Sequence, residues 1–211
     1  MLLWIKGSLT PQEIRDRIMD PDSPFQKEMV EYLKSVHMGE FFNGKMHEIK
    51  EKIDTAELDN NYVNPTETLP LPPPEFCDKP NCQNCKTCNA NLTWDEQFKQ
   101  IVDDIIFRSN VHNVGCLSNK WGKCKARFPR QTYEQTQVDP ETGALNIKKG
   151  EPMLNNVTGE VTYLIRSNSD VTSLLSGTAI KAVVAYISDY ISKPSLKTYL
   201  IFEAIKSVID K

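Results

Sequence analysis

The placement of six cysteines limits what this 211-residue chain can fold into more than any other feature. They run as Cys77-x4-Cys82-x2-Cys85-x2-Cys88 and, joined by a histidine, as His112-x3-Cys116-x7-Cys124. Met1 to Ile5 are apolar, but the run stops at Lys6-Gly7, too short for a secretory signal. Disulfides are therefore the weaker expected use of these thiols and tetrahedral zinc the stronger. A Cys-x2-Cys turn lets two thiolates meet one Zn2+ at about 2.3 Å while a second pair arrives from a distant segment. The spacing predicts one structural zinc on Cys82, Cys85, Cys116 and Cys124, with His112, Cys77 and Cys88 as substitute ligands. Four protein ligands leave no coordination position for a substrate water. The alternative is a set of free thiols packed as small apolar groups.

The remaining composition is that of a soluble globular chain, with 39% hydrophobic and 25% charged residues. No apolar run approaches the ~20 residues of a membrane span. The net charge of -3 excludes a globally basic nucleic-acid binder, but the charge is uneven. Residues 116–150 hold seven Lys/Arg against three Asp/Glu, and Lys120, Lys123, Lys125, Arg127 and Arg130 form their core. Lys123, Lys125, Arg127 and Arg130 are the candidate phosphate contacts; a solvated basic loop is the plainer alternative.

Punctuation along the chain sets its organisation. Thr10 before Pro11, with Glu13 in capping-box position, predicts a helix to about Met19. Pro21 and Pro24 break it, and further helices are expected over 25–36 and 45–54. The prolines at 65, 70, 72, 73 and 74 make 60–76 a linker. Thr93-Trp-Asp-Glu96 predicts a helix over 93–107, which the expected zinc would pin to the basic segment. After a turn at Val138 to Gly143, 144–149 and 161–166 read as strands, and Met1–Lys6 as another. A helix over 173–193 and a last one over 196–210 follow. The expected fold class is α+β, a small antiparallel sheet covered by helices, with a zinc-binding insertion. The expected parts are 1–59 with the first strand and helices, the linker 60–76, the zinc-binding and basic insertion 77–130, and 131–211 with the later strands and a tyrosine helix.

That helix carries Tyr186-Ile-Ser-Asp-Tyr190-Ile-Ser-Lys193-Pro194. At about 100° per residue Tyr186, Tyr190 and Lys193 share one flank, beside an apolar stripe of Ile180, Val183, Val184, Ile187 and Ile191. Two phenols one turn apart beside an ammonium suit successive attacks on phosphodiesters, the lysine offsetting phosphate or phenolate charge. The bland reading is a pair of tyrosines at the wet edge of a core stripe.

Four ordered segments carry a resemblance. Gly122-Lys-Cys-Lys-Ala-Arg-Phe-Pro-Arg130, Val138-Asp-Pro-Glu-Thr-Gly-Ala-Leu145, Thr162-Tyr-Leu-Ile-Arg-Ser-Asn-Ser-Asp-Val171 and Ser176-Gly-Thr-Ala-Ile-Lys-Ala-Val-Val-Ala through the tyrosine motif resemble the helicase-like N-terminal region, the Rep nuclease portion, of Helitron rolling-circle transposases of fungal type. The resemblance covers nearly the whole chain. It implies a partial Rep nuclease-like fold, single-stranded DNA as partner, nuclear residence, Tyr186 and Tyr190 as nucleophiles and Lys193 near the phosphate. It also implies that the cysteine and histidine cluster is the family's zinc-binding element.

The family holds Mg2+ or Mn2+ on a His-x-His strand before a segment like Met1 to Gly7. The only histidines here are His37, His47 and His112, none in such a pair. The chain is thus expected to be N-terminally truncated relative to the family and inactive alone. No Walker A sequence is present, so the helicase is absent from this chain. The competing reading is a non-catalytic zinc-stabilised DNA-binding or interaction module. An unrelated enzyme ranks last, because no Ser/His/Asp set, phosphate loop or carboxylate pair is evident.

Overall fold

The computed structural model of the chain describes residues 6–20, 22–79, 81–82, 85–120, 122–124, 126–141, 143–172, 181, 183–185 and 187–188. It divides into two compact units, one of Arg17–Thr172 and the other of Met1–Asp16 with Ser173–Lys211. Among the described residues the architecture is α+β and mostly helical, with a single two-stranded antiparallel sheet.

Local chemistry accounts for the early helices. Helix α1 (Pro11–Ile18) opens on the expected capping box: Glu13 Oε2 accepts Thr10 N at 2.7 Å, and Glu13 N donates to Thr10 Oγ1 at 3.3 Å. Helix α2 (Pro24–Val36) is capped by Ser23, whose Oγ accepts Phe25 N at 3.2 Å. Helix α3 (Met46–Ala56) buries Ile49 and Ile53, four residues apart on one face.

Helix α4 (Lys86–Ser109) is the spine of the larger unit. Phe98, Val102, Ile105 and Ile106 recur at helical spacing, and the last three are wholly buried. Phe98, Val102 and Ile106 pack with Phe41, Ile49, Ile53, Leu154, Val157 and Tyr163 in one core. Each such side chain contributes about 1.5–3 kcal/mol by leaving water. The ring of Phe98 stacks on Trp94 at 5.3 Å and meets Tyr163 at 5.1 Å. Asp103, on the same helix, accepts Phe42 N at 2.7 Å, Asn43 N at 2.9 Å and Asn43 Nδ2 at 2.8 Å, which fixes the loop before α3. Burial pushes its carboxyl above the usual range, and these N–H donors pull it back.

Several expectations are corrected. Residues 161–166 are not a strand but lie in and at the end of helix α5 (Gly159–Ile165). The buried positions are Gly159, Thr162, Tyr163 and Arg166, a helical stripe, whereas Val161, Leu164 and Ile165 are exposed. Packing of that stripe on α4 overrides the strand preference of a Val-Thr-Tyr-Leu-Ile run. The strand expected at 144–149 is shorter: β2 (Leu145–Asn146) pairs with β1 (Gln137–Val138) in the register Gln137 to Asn146 and Val138 to Leu145. Val138 therefore belongs to a strand and not to the turn, while an isolated bridge from Tyr133 to Lys149 prolongs the ladder.

Helix α4 starts well before Thr93, because Cys85 serves as its N-cap. The proline-rich stretch is not a free linker. A 3-10 turn at Pro65–Glu67 lies against α4, and Tyr163 Oη accepts Leu71 N at 3.2 Å while donating to Leu71 O at 3.0 Å. The expected strand at Met1–Lys6 lies outside the described residues except for Lys6, which is in a turn. The helix expected over 196–210 lies wholly outside them. No helix among the described residues is long and apolar enough to cross a membrane.

Candidate metal centres

The cysteines form two groups, one around the start of α4 and one after its end. Cys77, Cys82, Cys85 and Cys88 bring their Sγ atoms within 4.8 Å of one another. Cys85 Sγ stands 3.6 Å from Cys77 Sγ and 3.5 Å from Cys88 Sγ. Four thiolates on a tetrahedral zinc at about 2.3 Å stand about 3.8 Å apart, so this quartet is close to the required spacing. The donor set, four half-buried sulfurs, fits a structural ion.

Helix geometry helps to prepare the site. As N-cap of α4, Cys85 accepts the backbone N–H of Cys88 at 3.4 Å. That N–H, followed by bonds from the Cys88 and Cys82 thiols, lowers the Cys85 thiol to about 6. Cys88 is pushed up to about 12, first by its bond to Cys85 and then by desolvation.

The second group is His112, Cys116 and Cys124, whose ligand atoms also lie within 4.8 Å of one another. His112 Nε2 is 3.1 Å from Cys124 Sγ. The backbone N–H of Phe128 lowers the Cys124 thiol, and those of Ala126 and Arg127 act the same way. Burial raises Cys116, as does its bond to Cys124. The chain can fold its N–H groups onto Cys124 because Arg127 adopts a left-handed φ of 62° just after it. Phe128 then stacks on His112, with centroids 4.1 Å apart and an interplanar angle of 10°. Arg130 lies over the other ring of this stack, its Cζ 4.8 Å from the Phe128 centroid.

One zinc shared by Cys82, Cys85, Cys116 and Cys124 is therefore corrected to two separate groups. The physical reason is α4 itself: 24 residues rising 1.5 Å each put about 36 Å between the ends of the helix. Cys82 and Cys85 join Cys77 and Cys88, and Cys116 and Cys124 join His112, so every substitute ligand is used. Of the basic residues, Lys123, Arg127 and Arg130 are exposed around the second group, while Lys125 lies outside the described residues. Tyr186, Tyr190 and Lys193 lie outside them too. In the expected apolar stripe of their helix, Val184 and Ile187 are exposed on helical backbone, so those two positions do not belong to a core face.

Phe128 was missed in the sequence, where the Arg-Phe-Pro-Arg run registers as charge. Its signal is an aromatic side chain amid cations and glycine, with no periodic segment to bury it. Compared with known proteins, the chain matches no family, no curated protein and no solved structure.

Proposed function

We propose that the chain is a zinc-stabilised region of a Helitron-type rolling-circle replication initiator, with a partial Rep-like fold, that binds single-stranded DNA in the nucleus. One zinc would occupy the cysteine quartet, and the His112, Cys116 and Cys124 group would take a second. The quartet would be structural, cross-linking loops that the small sheet cannot hold, while the three-ligand group would leave a fourth position to water or a further ligand. The observation that carries the reading is the wrapping of the basic Arg127-Phe-Pro-Arg130 turn onto His112 and Cys124, which displays exposed cations on a fixed scaffold.

In this reading Tyr186 and Tyr190 are the nucleophiles toward a phosphodiester, and Lys193 offsets the charge that develops. The chain has no His-x-His pair for Mg2+ or Mn2+, so alone it binds DNA without cutting it. That same lack favours the second reading, a non-catalytic zinc-stabilised DNA-binding module, in which the tyrosines are structural.

Titration of a labelled oligothymidylate with zinc-loaded protein tests the reading. Affinity should fall with salt at a log-log slope of about -2 to -3, near 0.7 per phosphate for single strands. Lys123→Glu with Arg127→Glu should weaken binding at least about tenfold at low salt. An affinity indifferent to salt and to those substitutions would overturn DNA binding. Nicking by the chain alone with Mn2+, lost in Tyr186→Phe, would overturn the expected inactivity.

A further inference from the structure

One buried cation of the larger unit lies within the basic stretch 116–150 but outside its core of Lys120, Lys123, Lys125, Arg127 and Arg130. Lys149 is only 6% exposed. Its backbone is locked in the sheet extension, donating to Tyr133 O at 2.9 Å and accepting Tyr133 N at 3.1 Å. Its Nζ donates to Asn156 Oδ1 at 2.9 Å, yet an ammonium has three N–H donors. Among the described residues it makes no ion pair. Leaving a charged amine buried without a direct ion pair is costly, and Asp170 offsets that cost only in part.

Lys149 opens on a cavity of about 150 Å3 that also receives Arg130, Asn155, Asn156, Asp170 and Thr172. Four backbone bonds build it: Arg130 N to Pro152 O at 2.8 Å, Val171 N to Asn156 O at 2.8 Å, and the two of the Tyr133 to Lys149 bridge. A pocket for a drug-sized ligand needs about 300 Å3 or more, so this one suits a small group. Its charges are two cations, Lys149 and Arg130, and one acid, Asp170, leaving one positive charge in excess. A phosphodiester carries one negative charge and several acceptor oxygens, which amine, guanidinium, amide and hydroxyl donors can satisfy.

We propose that this cavity is a subsite for a single phosphodiester of single-stranded DNA, held between the buried Lys149 ammonium and the Arg130 guanidinium. The proposal rests on the DNA-binding reading above and deepens it. Arg130 joins the two surfaces, because its guanidinium stacks on Phe128 while it lines the cavity. The backbone path would thus run from the exposed turn at Arg127 into the cavity beside Lys149. The state of the amine agrees with this. Burial first, and then the Arg130 charge, lower it to about 8 against the opposing pull of Asp170, so its charge is held at a cost that a bound phosphate would offset.

The test uses the zinc-loaded full chain, labelled oligothymidylate and the variants Lys149→Met and Arg130→Gln. Each variant should weaken binding about fivefold at low salt and lower the salt slope by about 0.7. The double variant should lose about the same slope as either single one, since both hold the same phosphate. A Lys149→Met chain that binds like wild type, with unchanged slope, overturns the subsite and leaves the DNA-binding reading standing. Wild type that binds no oligothymidylate at all overturns that reading and the subsite with it.

Should Lys149→Met fail to fold, acetylation of Lys149 in the wild type replaces it as readout. Protection by oligothymidylate is expected. Protection by inorganic phosphate with none by the oligonucleotide would make the cavity a free-phosphate site and overturn the proposal.

Discussion

Phe128 lies flat on the imidazole of His112, 4.1 Å between centroids, and this stack ties the basic turn to a metal-ligand group. Phe128 is buried but stands outside the main core, so its burial serves the local loop. Removing it should cost about 3 kcal/mol, the lower end for a buried Phe→Ala change. For a chain of this length that is a fall in thermal midpoint of roughly 6–12 °C. Phe128→Ala should also release zinc from the second centre at lower chelator concentration than from the cysteine quartet. Calorimetry with a chelator titration checks both; unchanged release would mean that the stack does not hold the histidine.

The two groups at opposite ends of α4 predict independent metals. Zinc analysis of purified protein should give about two equivalents, with Cys85→Ser removing one and Cys124→Ser the other. Cobalt substitution should distinguish the sulfur-only centre from the mixed one by its charge-transfer bands. Each loss should leave the other centre's band in place. Wild type holding one equivalent, abolished by either variant, would restore one shared site and refute the separation.

Asp103 joins α4 to the loop at Phe42 and Asn43 through three donors on two oxygens. Asp103→Ala leaves two backbone N–H groups without acceptors, at about 1–3 kcal/mol each. Asp103→Asn keeps the volume but turns an amide donor toward one of those N–H groups, so it should recover less than half of the loss. Urea unfolding of both variants measures this. Equal stability of Asp103→Asn and wild type would show that the loop does not depend on the carboxylate.

Elements governed by local rules were readable in the sequence. The Thr10 and Glu13 capping box depends on neighbours only and stands where the sequence puts it, whereas Pro24, read there as a breaker, opens α2 behind the Ser23 cap. Elements decided by distant contacts were not. The buried face of α5 is Gly159, Thr162, Tyr163 and Arg166, and only one of these is a conventional core residue. No hydrophobic period could reveal that stripe. Proline content likewise marked 60–76 as a linker, whereas Tyr62 bonds to Asp104 and to Arg108 on α4 and docks its start. The cysteines and histidine that could hold a metal were recognised by type, but their partition depended on where α4 begins. A cysteine acting as helix cap hid that boundary.

Lys149 carries the last prediction, and its sign follows from proton counting. With its pKa held at about 8, below the ordinary 10.5, the folded chain binds fewer protons than the unfolded chain between those values. Stability must therefore rise as pH rises through that window, and below about 8 the buried charge imposes its full cost. The groups facing the amine are Arg130, whose charge deepens the shift, and Asp170, which opposes it. Lys149→Met removes the charge and should unfold at the same temperature or higher at neutral pH, with no rise between pH 8 and 10.5 beyond that of other groups. Thermal scans of both proteins across that range check it. A variant less stable than wild type at neutral pH would mean that the ammonium is held by contacts that offset its burial, and the cavity would have no cost left for a phosphate to relieve.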